Sequence, residues 1–457
     1  MSEEKLSGKQ VWGYISGMIP LTIVLGVFRL AYVKFFYDSL GLNEVLFIIG
    51  MTIFMIINML NDPLIGQWQD NTNAKRWGSR RIVYIKYFSP ILVIVFAFMW
   101  FPWTTDSTSP MGQFILFLHF LISICVFDTL SNIVTMAWMA LLPDMTSDLG
   151  ERTKINFLGS ILALFASFAV ITVPTMVDNL QFFQVFNIVV AIISYICYVI
   201  VVKFSKESPE YRQDRSPSLW KAVKQTVKSK SFLMFVGYNF FKTMIASIQL
   251  SYVFLFLILI GPENVIYYFL IVIIVGWSSN ILCMRLRTKY GFKKLLLRFS
   301  VIQCIGGFIL FFLVLIPTIS MPTMWIGLIF STFFGGAGVF GVLMQTLPID
   351  EDELKYGSRR EGMFFGINAL FTKPTESIGP IIVTIVLVLT GYVQNSPIQS
   401  SFAMFGIIFV FYFIVNVFLA LSIIFVYFFP LDGEKLKDLQ VQLQILHASK
   451  KEKLKEI

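Results

Sequence analysis

Charge is what this chain has least of. Asp, Glu, Lys and Arg make up 14% of its 457 residues, against about one-quarter in a soluble globular domain. Too few charges remain to coat a water-facing surface, so a water-soluble fold is excluded. Histidine is nearly absent: His119 stands alone in an apolar run and His447 in the C-terminal tail, which leaves no pair to hold a metal. The four cysteines, Cys125, Cys197, Cys283 and Cys304, all fall in apolar runs without CxxC spacing. They argue for neither disulfides nor a metal centre. A Walker lysine loop and a Rossmann fingerprint are both missing, and no nucleophile–base set appears, so catalytic chemistry is not expected. The opening MSEEKLSGKQ is polar and the apolar run after it is long, which is unlike a cleavable signal.

Apolar length is what the chain has in abundance. It is 56% hydrophobic with a mean hydropathy of +0.76, and many segments exceed the roughly 18 apolar residues that span a bilayer. Six runs lie near 11–37, 44–68, 82–103, 112–142, 155–178 and 182–204. Six more lie near 232–261, 264–284, 295–316, 322–348, 361–392 and 400–429. The expected fold is an all-α membrane protein of twelve transmembrane helices in two six-helix bundles. Its expected parts are an N-terminal bundle (1–204), a linker (205–231), a C-terminal bundle (232–430) and an amphipathic tail (431–457). The tail places Leu436, Leu439, Leu443 and Leu446 on one helical face, which suits a helix lying in the membrane interface. The 48 phenylalanines suit lipid-facing and interhelical packing.

Basic residues collect in alternate loops: DNTNAKRWGSRR, DLGERTK, the linker, RLRTKYGFKK and DELKYGSRREG. The positive-inside rule then puts both termini and the linker in the cytoplasm, and explains the net charge of +9 without nucleic acid. RWGSRR after the second run and KYGFKK after the eighth share a pattern, as internal duplication would produce. Gly66, Asp70, Arg80, Arg81, Arg359 and Arg360 are candidate gating residues at this face. For Asp70 a solvated loop charge is the plainer alternative.

Ionisable residues inside spans are costly and usually line an interior or a water-filled cavity. Six stand out: Arg29, Asp62, Asp128, Lys242, Lys373 and Glu376. Paired charges that only stabilise helix packing are the plainer reading of any one of them; the whole set points to a polar cavity. Carboxylate oxygen is a hard ligand for a small cation, and Pro63 frees a backbone carbonyl beside Asp62. Asn58 shares the Asp62 face, Asn61 precedes it, and Asn132 and Thr135 add neutral oxygens from the fourth run. Asp62, Asn58, Asn61, Asn132 and Thr135 are therefore the candidate cation site. Arg29, Asp128, Trp138, Lys242, Lys373 and Glu376 are the candidate substrate site. Glu376 lies three residues from Lys373, so that pair could be local.

NDPLIGQWQDNTNAKRWGSRR, MALLPDMTSDLGERTKIN, DEDELKYGSRREGMFFGINALFTK and the tail LDGEKLKDLQVQL together resemble the glycoside–pentoside–hexuronide:cation symporter family, the melibiose permease branch of the major facilitator superfamily. The resemblance covers essentially the whole chain. It implies alternating access and Na⁺- or H⁺-coupled import of a sugar, glycoside or related solute, with no cofactor beyond the coupling ion. Asp62 matches the family's cation-binding aspartate before proline, and Lys373 its eleventh-helix lysine. The family's second aspartate falls at Asn58, a fourth-helix aspartate at Thr135 and a sugar-binding arginine at Ser160, while no acid stands near Thr22. One carboxylate is then left at the cation position. Related lysophospholipid carriers keep the same Asp-Pro and lysine patterns, so an anionic amphiphile stays open as substrate. A non-transporting receptor or scaffold is the reading from another class. The expected setting is a plasma-membrane monomer, with a small solute and membrane lipid as partners.

Overall fold

The computed structural model describes residues 6–146, 149–207, 228–356, 361–396 and 398–453. Twelve apolar helices follow one another: α1 Gly8–Ser39, α2 Glu44–Gln69, α3 Ile82–Phe98, α4 Pro110–Leu142, α5 Lys154–Met176 and α6 Leu180–Phe204, then α7 Lys230–Ser251, α8 Pro262–Tyr290, α9 Phe292–Val314, α10 Ser320–Lys355, α11 Gly366–Leu389 and α12 Ser401–Phe428. Eleven are long and apolar enough to cross a membrane, and α3 is shorter. No strand occurs among the described residues. The twelve expected runs are all present. The third is shorter than its apolar stretch, because the helix stops at Phe98 and Trp100 turns inward to a fully buried seat against Phe35 and Phe183.

Helix starts follow the local sequence. Asn43, Ser109, Asn179, Ser229 and Ser400 each turn a side-chain oxygen to a first-turn N–H of α2, α4, α6, α7 and α12. These are the short polar residues that satisfy donors a helix cannot. α3 is started differently: the Glu207 carboxylate accepts from the backbone N–H of Arg80, Arg81 and Ile82 at 2.6, 2.7 and 2.9 Å. Glu207 belongs to the expected linker, most of which (208–227) lies outside the described residues.

α3 packs on α4 and α6, α2 on α4, and α1 on α5 and α6; in the second half α7 packs on α11 and α12, and α10 on α8 and α9. Across the halves, α2 lies along α11 and α1 along α7. Polar side chains on α1, α2, α4 and α11 therefore meet near the middle of the molecule.

Opposite the basic loops, the two halves are tied by hydrogen bonds. Asp38 at the end of α1 accepts from the Tyr392 hydroxyl (2.8 Å) and from the backbone N–H of Asn395 (3.1 Å). Gln394 donates to the Leu42 carbonyl at 3.0 Å. Asn395 holds φ +52°, a left-handed conformation that asparagine tolerates better than most residues.

The tail corrects one expectation. Helix α13, Gly433–Lys453, buries Leu439 and Leu443 in a core shared with Phe232, Ile349 and Leu431, and packs Leu436 against it. Its leucine stripe covers the ends of α7 and α10, while Val441 and Ile445 face outward. The same spacing serves either partner.

Candidate functional site

Two charge–proline pairs face each other at the centre. Pro63 lies inside α2, so the Met59 carbonyl loses its usual i+4 donor. Pro374 interrupts the eleventh helix between Thr372 and Thr375. The residue before each proline carries the charge: Lys373 Nζ lies 3.7 Å from Asp62 Oδ2. The α11 break is pinned to α7, where the Thr375 hydroxyl donates to Thr243 Oγ1 at 2.9 Å and the Ser247 hydroxyl donates to the Glu376 carbonyl at 3.3 Å.

Glu376 is the hub of the cluster. Its Oε2 accepts from Asn58 Nδ2 at 3.0 Å, its Oε1 lies 3.8 Å from the Arg29 guanidinium, and Lys373 Nζ stands at 4.0 Å. A contact that could have been local to one helix thus joins α1, α2 and α11. The pairing of Asn58 with Glu376 spans 318 positions, and nothing in either local sequence signals it. Asp128 stands on α4, which packs along α2, and its Oδ2 accepts from Asn132 Nδ2 at 3.0 Å. Asn61 donates to Thr129 Oγ1 at 2.8 Å. Thr135 follows two turns after Asp128 on the same helix face.

The cluster therefore joins the carboxylates of Asp62 and Glu376 to the cations of Arg29 and Lys373, with Asp128 nearby on α4. Two of its oxygens are buried with no hydrogen-bond partner: Asn58 Oδ1 and Asp62 Oδ1. They sit one helical turn apart on the same face of α2. Buried acceptors without donors are rare and expensive, and such a pair suits a hard cation or a proton.

Other expected site residues lie elsewhere. Trp138 is buried, stacks on Tyr14 with centroids 4.6 Å apart, and donates from Nε1 to the Tyr14 carbonyl at 3.0 Å. It stands about 15 Å along α4 from Asp128, ten residues at 1.5 Å each, and Gly17 makes room for its ring, since a Cβ there would lie 2.3 Å from Nε1. Lys242 faces a different cavity, bounded by α7, α8, α9, α10 and α12. At the basic face, Arg80 and Arg81 are buried rather than solvated. Arg81 Nη1 donates to Gln69 Oε1 at 3.5 Å, and Gln69 donates to the Ile133 carbonyl at 2.7 Å. Gly66 meets α4 at Met136, whose methyl would lie 3.3 Å from an added Cβ. The Asp70 side chain, Arg359 and Arg360 lie outside the described residues.

A family model described as "MFS/sugar transport protein" matches residues 13–433. Among curated proteins, Transmembrane protein 180 of Mus musculus is 31% identical over 154 residues, covering 31% of this chain and 28% of that protein. The uncharacterized symporter sll1374 of Synechocystis sp. is 27% identical over 171 residues, 36% of this chain and 31% of its own. The matched segment thus spans less than one third of these relatives' length. Among solved structures, a D-xylose-proton symporter superposes with TM-score 0.61 at 16% identity, covering 92% of this chain and 96% of that one. A bacterial homolog of the human lysosomal transporter Spinster, inward-facing and unoccupied, gives TM-score 0.63 at 12% identity over 93% and 98%. These structures share its fold.

Proposed function

The chain belongs to the MFS/sugar transport protein family, and from that premise we propose that it is a cation-coupled symporter that imports a sugar or related solute by alternating access. The observation that carries this reading is the pair of buried, unpartnered oxygens Asn58 Oδ1 and Asp62 Oδ1 beside the Asp62–Lys373 ion pair. Two such acceptors one turn apart suit Na⁺, or a proton on the carboxylate. Asp62 is the principal ligand, Asn58 supplies a neutral oxygen, and Lys373 and Glu376 report the cation's presence across the α2–α11 contact. Occupancy changes the partners available to Lys373, and differential stabilisation of two states is what lets a bound ion shift a conformational equilibrium. Asn61, Asn132 and Thr135 shape the polar wall beside it.

The name of the Synechocystis relative includes the word symporter and one structural neighbour is a sugar–proton symporter, which supports the class of activity. The setting proposed is the plasma membrane, with both termini cytoplasmic and the Asp38–Tyr392 contacts forming the outer gate. The test has two steps. Purified protein is screened for thermal stabilisation by sugars, lysolipids and organic anions, with and without Na⁺. The solute found is then offered to proteoliposomes under an imposed Na⁺ or pH gradient. Concentration above equilibrium under one of these gradients is expected; purely equilibrative entry would overturn coupling.

A further inference from the structure

We propose that the C-terminal helices carry a separate anion-recognition subsite on Lys242, so that the transported solute bears one anionic group on an apolar body and is not a neutral sugar; this rests on the reading of the chain as a transporter, not on the sugar. Lys242 lines a cavity of about 440 Å³ enclosed by α7, α8, α9, α10 and α12, a size common for small-molecule sites. None of the residues lining it is acidic, and Lys242 is its one cation. Among the described residues Lys242 has no ion-pair or hydrogen-bond partner, whereas Arg29 and Lys373 both face carboxylates.

Three neighbouring donors are already committed, while Gln249, Tyr268 and Thr332 line the space beside the ammonium. Gln303 donates to the Ser331 carbonyl, Asn416 to the Tyr412 carbonyl and the Tyr412 hydroxyl to the Met324 carbonyl, at 3.0, 2.5 and 3.2 Å. The ammonium is left as the strong donor facing the space.

Snorkelling does not account for Lys242. It stands twelve residues from the start of α7, about 18 Å along the axis, and a lysine stem near a helix end is what reaches water. A charge held in mid-span without a partner marks a ligand site. Lysine acts there as a point charge toward carboxylate or phosphate, and charge-assisted bonds are roughly twice as strong as neutral ones. The walls set the rest of the ligand: Phe256, Phe269, Phe330 and Phe411 surround the space and suit an apolar body. Leu30 of α1 lines one edge, so the cavity reaches the contact between α1 and α7.

Three acid–amide pairs of matched shape isolate the charge: benzoate and benzamide, phenylacetate and phenylacetamide, hexanoate and hexanamide. Thermal stabilisation of the purified full chain is measured with each. At least one acid is expected to stabilise the protein where its amide does not. Lys242→Gln should weaken that effect by about tenfold, and Lys242→Arg should restore most of it. If acids and amides act alike on the unaltered chain, or if Lys242→Gln responds as the unaltered chain does, the inference is overturned. Uptake separates the two readings. An acid that binds through Lys242 but is accumulated under no cation gradient would overturn the symport reading and leave the subsite standing. Cation-driven accumulation indifferent to Lys242→Gln would do the reverse.

Discussion

At Asn58 the amide nitrogen is given to Glu376 while the carbonyl oxygen has no partner, and that asymmetry decides what a substitution there would do. Asn58→Asp restores the acid that the related family carries at this position, yet it sets a carboxylate against the Glu376 carboxylate. Like charges that close favour a proton or cation between them. The variant is therefore expected to melt lower than the unaltered chain without Na⁺ and to regain stability as Na⁺ rises, more steeply than the unaltered chain does. Melting curves across a Na⁺ series at constant ionic strength check this; a flat response would remove Asn58 from the cation site. Asp62 with Pro63, and Lys373, could be singled out from the sequence because charge inside an apolar run is conspicuous. The hub role of Glu376 could not. Its spacing from Lys373 fits a local pair equally well, and its partners on α1 and α2 lie more than 300 positions away.

The helices themselves were legible because bilayer length and hydropathy leave little choice, and the caps Asn43, Ser109 and Ser400 mark their starts. Where an apolar stretch ends in a turn, as at Trp100, hydropathy cannot tell a membrane-spanning residue from one tucked into protein. The tail's leucine stripe is ambiguous for the same reason, since lipid and the ends of α7 and α10 are both apolar partners. The contact of α1 with the segment after α11 depends on one buried carboxylate accepting two bonds. Asp38→Asn weakens both acceptor bonds, each worth about 1.5–3 kcal/mol when charged. If this contact closes the outer face, Asp38→Asn should raise labelling by an impermeant thiol reagent of a cysteine placed at Arg29, which is exposed toward the central space. Unchanged labelling would make the contact a packing feature rather than a gate.

Over the whole molecule, the basic loops after α2 and α8 define one face. Cysteines placed at the exposed Arg76 and Lys289 should react with an impermeant reagent only when the cytoplasmic side is accessible; reaction on intact cells would invert the topology. The proposed coupling rests most heavily on Asp62, whose Oδ1 is buried without a partner and whose Oδ2 lies 3.7 Å from Lys373. Accumulation of the screened solute by proteoliposomes under an imposed Na⁺ or pH gradient, compared between the unaltered chain and Asp62→Asn, is the most direct test. The unaltered chain should concentrate the solute above equilibrium, while Asp62→Asn should fold, exchange solute across the membrane and fail to concentrate it. Gradient-driven accumulation by Asp62→Asn equal to that of the unaltered chain would contradict the assignment of Asp62 as the coupling site.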